Sequence, residues 1–172
     1  FSGMKMFAKW RNCQGTLFAK DGSKYIGEFQ GGKFSGQGTY TYSNGAVYEG
    51  GFKRGKQEGY GVYKFANGDL YVGEFKTDSF HGEGTFTNHL GGKYVGEFAQ
   101  GVYNGQGTFT FPDGRENSGT WKNGLLDGQV SIFLEGGGKY FGLYQYGERN
   151  GQGSWTKADG TIEEGIWKNG EL

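Results

Sequence analysis

Proline is almost missing from this chain: Pro112 is the only one in 172 residues. Glycine is plentiful, 38 residues, but it does not fall at every third position, so a collagen-type triple helix is excluded. Cysteine occurs once, at Cys13, so no intrachain disulfide can form and thiols give no indication of compartment. Histidine occurs only at His81 and His89, and two imidazoles with Glu83 nearby fall short of a built metal centre. Neither sign of charge is in excess. Lys plus Arg and Asp plus Glu each number 18, which argues against nucleic acid as a partner and weakens the case for anionic membranes. The clusters Lys5/Lys9/Arg11 and Lys53/Arg54/Lys56 read as solvated loops. No apolar run approaches the roughly 20 residues of a membrane helix, and no secretory leader pattern stands out. An opening on Phe1 rather than Met is expected of a processed protein or a piece of a longer one. No Asn-x-Ser/Thr sequon occurs, which is compatible with the cytoplasm and excludes nothing; localisation stays unknown, with a cytoplasmic or membrane-peripheral setting slightly favoured and an extracellular one left open.

What the chain does have is rhythm. The stretch "YIGEFQGGKFSGQGTYTYSNGAV" (25–47) is followed by "YEGGFKRGKQEGYGVYKFANGDL" and "YVGEFKTDSFHGEGTFTNHLGGK", a period of 23 residues. Full repeats begin at Tyr25, Tyr48, Tyr71, Tyr94, Asn117 and Tyr140, with a half repeat from Glu163 and another entering near Asn12. Counting the first residue of each as position 0, glycine is invariant at positions 2 and 20 and nearly so at 7, 11 and 13, where the exceptions are Asp78, Cys13 and Val130. Most of the glycine content is therefore a consequence of the repeat.

Aromatics keep the same step. Position 4 reads Phe29, Phe52, Phe75, Phe98, Trp121, Tyr144 and Trp167, and position 0 is Tyr in all full repeats but the one at Asn117. Side chains alternate with period two along a strand, so positions 0, 2 and 4 share a face, as do 13, 15 and 17. That face is aromatic and glycine. The other carries Gln or Glu at position 12, Thr or Ser at 14 and often Glu at 3, as in a sheet covered on one side. "SNGA", "ANGD" and "PDGR" mark turns, with Asn-Gly and Asp-Gly the strongest hairpin signals and positive φ tolerated in both residues. "GGKFSG" and "RGKQEG" mark a second glycine-bearing turn. The expected fold is all-β: an elongated, twisted, single antiparallel sheet of consecutive β-hairpins, each unable to bury its aromatic face alone. The domain reading is a segment 1–11, a possible cap for one edge, followed by an array over 12–172 of about seven hairpins.

The pattern "YxGxFxxGxxxGxGxxxxxxNG" at this spacing resembles the MORN repeat (membrane occupation and recognition nexus), over roughly residues 12–172. The resemblance implies a meandering antiparallel sheet and a non-catalytic role as scaffold, dimerisation element, partner-peptide groove or appendage of a larger enzyme. It also brings phospholipid binding into view. The repeat at Asn117 departs from the pattern at Asn117, Val130 and "LEGGGK" and is the expected place for a bulge or altered surface.

No catalytic constellation emerges, and no cofactor or metal is called for. "GGFKRGKQ" and "GEFQGGKF" approach a phosphate-binding loop but lack its Ser/Thr and a following helix; their spacing is that of repeat positions 2 and 7. Glu28, Glu74 and Glu97 at position 3 read as a solvated row rather than an acid–base pair. Phe34, Phe80, Tyr103 and Leu126, at position 9, are apolar where a turn would be polar. They either complete the core or rim a groove that accepts a helix or strand. With Tyr48, Tyr71 and Tyr94 they are the candidate partner-binding residues, and the position-4 row is the structural ladder. The functional expectation is a non-enzymatic module that binds a protein partner, or itself, through the aromatic face. The alternatives are a phospholipid-surface binder, an accessory domain of a larger enzyme, and a subunit of a head-to-tail filament, since "EEGIWKNGEL" and "NCQGTLFAKDG" would complete one repeat.

Overall fold

A computed structural model describes residues 13–172. The segment 1–11, read as a possible edge cap, lies outside the described residues. Fourteen strands follow one another: β1 (Cys13–Phe18), β2 (Lys24–Gln30), β3 (Lys33–Thr41), β4 (Val47–Lys53), β5 (Lys56–Lys64), β6 (Leu70–Lys76), β7 (Ser79–Thr87), β8 (Lys93–Ala99), β9 (Val102–Thr110), β10 (Glu116–Lys122), β11 (Leu125–Phe133), β12 (Lys139–Gln145), β13 (Glu148–Thr156) and β14 (Ile162–Trp167). Their order in the sheet is their order in the chain, and the sheet is open. Described pairs are antiparallel, and a single 3₁₀ turn, Glu135–Gly137, is the one helical element among the described residues. The chain divides into two compact units, Phe1–Gly82 and Glu83–Leu172.

Two turn types alternate, and their assignment differs from the sequence expectation. The tightest turn falls at positions 6 and 7, not at positions 19 and 20, where the Asn-Gly and Asp-Gly pairs of "SNGA", "ANGD" and "PDGR" stand. Both of its residues have positive φ, as at Arg54 (53°) and Gly55 (88°), the signature of a type I′ hairpin turn, whose twist matches that of its strands. At the Asn-Gly pairs of positions 19 and 20 only the glycine has positive φ (Gly45, Gly68), while the asparagine does not. There the Gly45 N–H donates to the Tyr42 carbonyl and the Tyr42 N–H to the Ala46 carbonyl, giving a three-residue loop closed by a glycine bulge. Asparagine serves instead through its side chain: Asn44 Oδ1 accepts from the Ala46 N–H at 3.0 Å, as Asp21, Asn67, Asp113 and Asp159 do from the residue two further on. Where that position is Leu90, Asn88 takes over, accepting from the N–H groups of Leu90 and Gly92.

A bulge recurs in both compact units. In β2–β3 the register runs Gly27↔Gly38 and then jumps to Glu28↔Ser35, leaving Gly36 and Gln37 unpaired on that side. The same shift follows Gly50, Gly96, Gly119 and Gly142. The repeat at Asn117 is thus not the special site of a bulge; every described hairpin of this kind has one. Its departures offset each other. Without a tyrosine at Asn117, Val130 replaces the position-13 glycine, and its buried side chain packs against Gly119.

The core is the aromatic face. Tyr25, Tyr48, Tyr71, Tyr94 and Tyr140 are buried, and of the position-4 ladder Phe29, Phe52, Phe75, Phe98, Trp121 and Trp167 are buried while Tyr144 is half-buried. The rings of Tyr25, Tyr48, Tyr94 and Tyr140 lie flat on glycine. A Cβ added to Gly107 would stand 2.2 Å from Tyr94 Oη, and one on Gly38 would be 2.5 Å from Tyr25 Oη, so no side chain fits beneath either ring.

Candidate protein-interaction face

The hydroxyl explains why position 0 is tyrosine rather than phenylalanine. Tyr48 donates to the Gly51 carbonyl at 2.8 Å, Tyr71 to Glu74 at 2.8 Å, Tyr25 to Glu28 at 2.9 Å and Tyr94 to Glu97 at 3.1 Å. Each bond supplies a partner at the bulge, where the ladder is interrupted. Burial, with a smaller push from the Glu28 charge, raises the Tyr25 hydroxyl to about 12, and burial likewise drives Tyr48, Tyr71 and Tyr94 well above the ordinary value.

The carboxylates of position 3 also have a structural task that their periodicity did not reveal. Glu28 Oε1 accepts from the Gln37 N–H at 2.8 Å and Glu97 Oε1 from the Gln106 N–H at 2.7 Å. These are bulge amides that the neighbouring strand does not meet. The carboxylate lies against the position-11 glycine: a Cβ on Gly105, whose φ is +98°, would come within 2.6 Å of the Glu97 carboxyl carbon. A glycine there answers both the backbone conformation and the space.

Position 9 lies in strands, not in turns, and forms a second aromatic layer. Phe34 stacks on Tyr25 with centroids 3.9 Å apart, Phe80 on Tyr71 at 3.8 Å and Tyr103 on Tyr94 at 3.8 Å. The tyrosines are consequently covered from both sides. Tyr48, Tyr71 and Tyr94 are 0% exposed and lie beneath the surface; Leu126 is buried, while Phe34, Phe80 and Tyr103 are half-buried. At this position in β5 stands Gln57, buried, whose Nε2 donates to Tyr42 Oη at 2.8 Å and whose N–H donates to Asp78 Oδ1 at 2.8 Å. Asp78, the one break in the position-7 glycines, thereby gains a purpose, and it also pairs with Lys56.

In the first compact unit the half-buried rings are continuous. Phe34 meets Tyr40 at 5.8 Å, Tyr40 meets Tyr42 at 4.6 Å, Tyr42 meets Tyr63 at 5.6 Å, Tyr63 meets Phe65 at 4.6 Å, and Phe65 meets Phe80 at 6.1 Å. Sequence reasoning placed Phe34 and Phe80 at such a surface and put positions 15 and 17 on the aromatic face, but it did not name Tyr40, Tyr42, Tyr63 or Phe65 as contact residues. On the opposite face shallow depressions follow the glycine pairs, one of about 520 Å³ lined by Gln14, Ile26, Gln37 and Glu49 among others. The near-matches to a phosphate-binding loop lie across type I′ turns between strands, without a helix N-terminus.

Hairpins stacked in chain order, with a glycine-floored tyrosine in nearly every repeat, define the class: a β-hairpin repeat protein. The model of the family described as MORN repeat matches residues 25–47, 48–70, 71–88, 94–114, 118–129 and 140–162, and the chain belongs to that family. Comparison with curated proteins gives no significant match. Among solved structures, the TCP domain of Drosophila melanogaster SAS-4, in complex with a proline-rich motif of Ana2, is similar at 16% identity over 90% of each chain, with a TM-score of 0.49. The TCP10 domain of Danio rerio CPAP, in complex with a STIL peptide, is similar at 16% identity over 90% of this chain and 84% of that one, with a TM-score of 0.26.

Proposed function

We propose that this chain is a non-enzymatic protein-interaction module whose half-buried aromatic strip receives a segment of a partner protein. The observation that carries this is the unbroken run Phe34–Tyr40–Tyr42–Tyr63–Phe65–Phe80 in the first compact unit. Tyr25 and Tyr48 already seal the glycine backbone beneath, and Phe34 and Phe80 cap Tyr25 and Tyr71, so Tyr40, Tyr42, Tyr63 and Phe65 are not needed for either task. Contiguous apolar surface of this kind marks interaction sites, and aromatics with hydroxyl tips are enriched there. Contact belongs to the outer row, Phe34 and Phe80 with Tyr40, Tyr42, Tyr63 and Phe65; Tyr71 supports it from below. The same reading assigns the recurrent carboxylates to the fold rather than to chemistry, because Glu28 and Glu97 are committed to bulge amides.

The test is affinity capture with the intact chain, followed by titration of each captured protein as a purified component against wild type, Tyr42→Ser and Phe65→Ser. Saturable binding that falls tenfold or more in both variants, with their melting temperatures near wild type, supports the reading. A partner unaffected by both variants, or no purified partner that binds, refutes it. Sedimentation of the same proteins with phosphatidylserine vesicles identifies lipid binding, and light scattering against concentration identifies self-association.

A further inference from the structure

The aromatic face changes character at the last full repeat. Where Phe34, Phe80 and Tyr103 lay a ring on the tyrosine below, Arg149 stands instead. Its guanidinium carbon is 4.2 Å from the ring centroid of Trp167, 5.2 Å from Trp155 and 5.7 Å from Tyr140. Three rings thus wall a half-buried cation. Among the described residues no carboxylate pairs with it. The neighbouring acid, Glu163, is paired with Lys157, and among the described residues Arg149 has no ion-pair or hydrogen-bond partner for its side chain.

A second observation is independent of the first. Trp155 Nε1 and Trp167 Nε1 are both buried without an acceptor among the described residues, and Trp167 is only 3% exposed. Trp121 is an internal control, since it holds the same repeat position as Trp167 and donates its Nε1–H to the Gly107 carbonyl at 3.0 Å. Buried indole N–H groups ordinarily find such a partner. Two unmet donors and one unmatched guanidinium occur together, in a repeat array that satisfies the corresponding atom elsewhere.

We propose that this cradle is a docking site for an Asp or Glu side chain carried on an apolar segment of a partner protein. The inference rests on the aromatic face being an interaction surface. A guanidinium presents a rigid fork of donors that matches a carboxylate, and stacked on rings it keeps that fork while losing little hydration. Lys157 and Glu163 neutralise each other, which leaves one positive charge in the cradle. A carboxylate balances one charge, whereas a phosphate monoester brings nearly two. The flanking rings call for aliphatic or aromatic neighbours on the incoming segment. Residues 1–12 do not supply it, for they contain Lys5, Lys9 and Arg11 and no acid.

Peptides selected by phage display on the intact chain, then synthesised and titrated into isotope-labelled protein, test this. The expected result is that enriched sequences place Asp or Glu beside apolar residues and shift the indole N–H signals of Trp155 and Trp167 saturably. Replacing the peptide acid by its amide, or Arg149→Gln in the protein, weakens binding tenfold or more, and Arg149→Lys falls between. The peptide replacement keeps the test sound if Arg149→Gln disturbs the fold. Enrichment without acids, or affinity indifferent to Arg149→Gln and to the amide peptide, overturns the proposal. So does inorganic phosphate that moves the same signals as strongly as the peptides. Peptides that lose affinity with Phe65→Ser but not with Arg149→Gln overturn this site and leave the module reading intact. Failure to enrich any peptide also counts against the site, while the module reading is judged by the capture experiment.

Discussion

The repeat at Asn117 contains a natural experiment that can be moved one repeat upstream. In the fourth repeat Tyr94 lies on Gly107; in the fifth the same two positions are Asn117 and Val130. Tyr94→Asn alone removes a ring that is 0% exposed, stacked on Tyr103 and bonded to the Glu97 carbonyl. Truncations of this kind cost about 3–5 kcal/mol. Gly107→Val alone places a Cβ 2.2 Å from Tyr94 Oη, and the ring has nowhere to go. Overpacking of that sort costs about 1–3 kcal/mol, and displacing the ring puts it at the upper end. Were the sites independent, the double variant would lose roughly 7 kcal/mol, comparable to the whole stability of an ordinary domain. The valine instead fills the space the ring leaves, so the double variant is expected to lose about 3–4 kcal/mol, a favourable coupling on the order of 3 kcal/mol. Urea unfolding followed by circular dichroism measures the four corners of the cycle, with amide exchange in β8 and β9 reporting where the loss falls. A double variant that loses the sum of the singles, within about 0.5 kcal/mol, refutes the idea that the ring and the position-13 side chain compete for one space.

Three further outcomes follow from the same geometry. Alkali should unfold the protein through its buried tyrosines: a raised pKa contributes stability that is present below the unfolded value near 10 and is lost as pH climbs through about 12 for Tyr25 and higher for Tyr48, Tyr71 and Tyr94. Phenolate absorbance should therefore rise late and together with loss of the sheet signal, and completion of the titration near pH 10 with the fold intact would contradict the burial. Glu97→Ala should speed exchange of the Gln106 amide and cost about 0.5–1.5 kcal/mol, against under about 0.5 kcal/mol for the exposed Glu49→Ala; an unchanged Gln106 rate would show that the carboxylate does not hold the bulge. Phe98→Asp puts a charge at a site 4% exposed and should cost several kcal/mol, whereas Thr16→Asp on the outer face should cost under about 1 kcal/mol; equal losses of melting temperature would reverse the assignment of faces.

The strand pattern was legible because two signals, glycine spacing and aromatic alternation, agree over the whole array. Turn chemistry was less so. Asn-Gly is ambiguous between a type I′ turn and a type I turn followed by a left-handed glycine, and Asn44 illustrates the second while Asn123–Gly124 illustrates the first. Position 9 was misplaced into a turn because the bulge is invisible in a list of residues. Until Gly36 and Gln37 are set aside, nothing shows that Phe34 comes to face Phe29 and lie on Tyr25. The task of Glu28 and Glu97 was hidden for the same reason, since their acceptor role exists only where the ladder is broken. For Arg149 the residue type was plain, but its ring walls come from three strands that only the register brings together.

The type I′ turns have a consequence for how such a chain comes into being. Within each compact unit, the position-7 N–H donates to the position-9 carbonyl of the repeat before it: Gly55 to Phe34 and Asp78 to Gln57, then Gly124 to Tyr103, Gly147 to Leu126 and Gly170 to Arg149. The bond always points back toward the N-terminus. A hairpin leaving the ribosome therefore finds its acceptor already in place on the hairpin made just before it, and it waits for nothing still to be translated. Because described strands pair only with their sequence neighbours, loop closure stays short at every step. Synthesis and folding can then proceed at the same pace, with the growing C-terminal edge of the sheet covered by the next repeat to emerge.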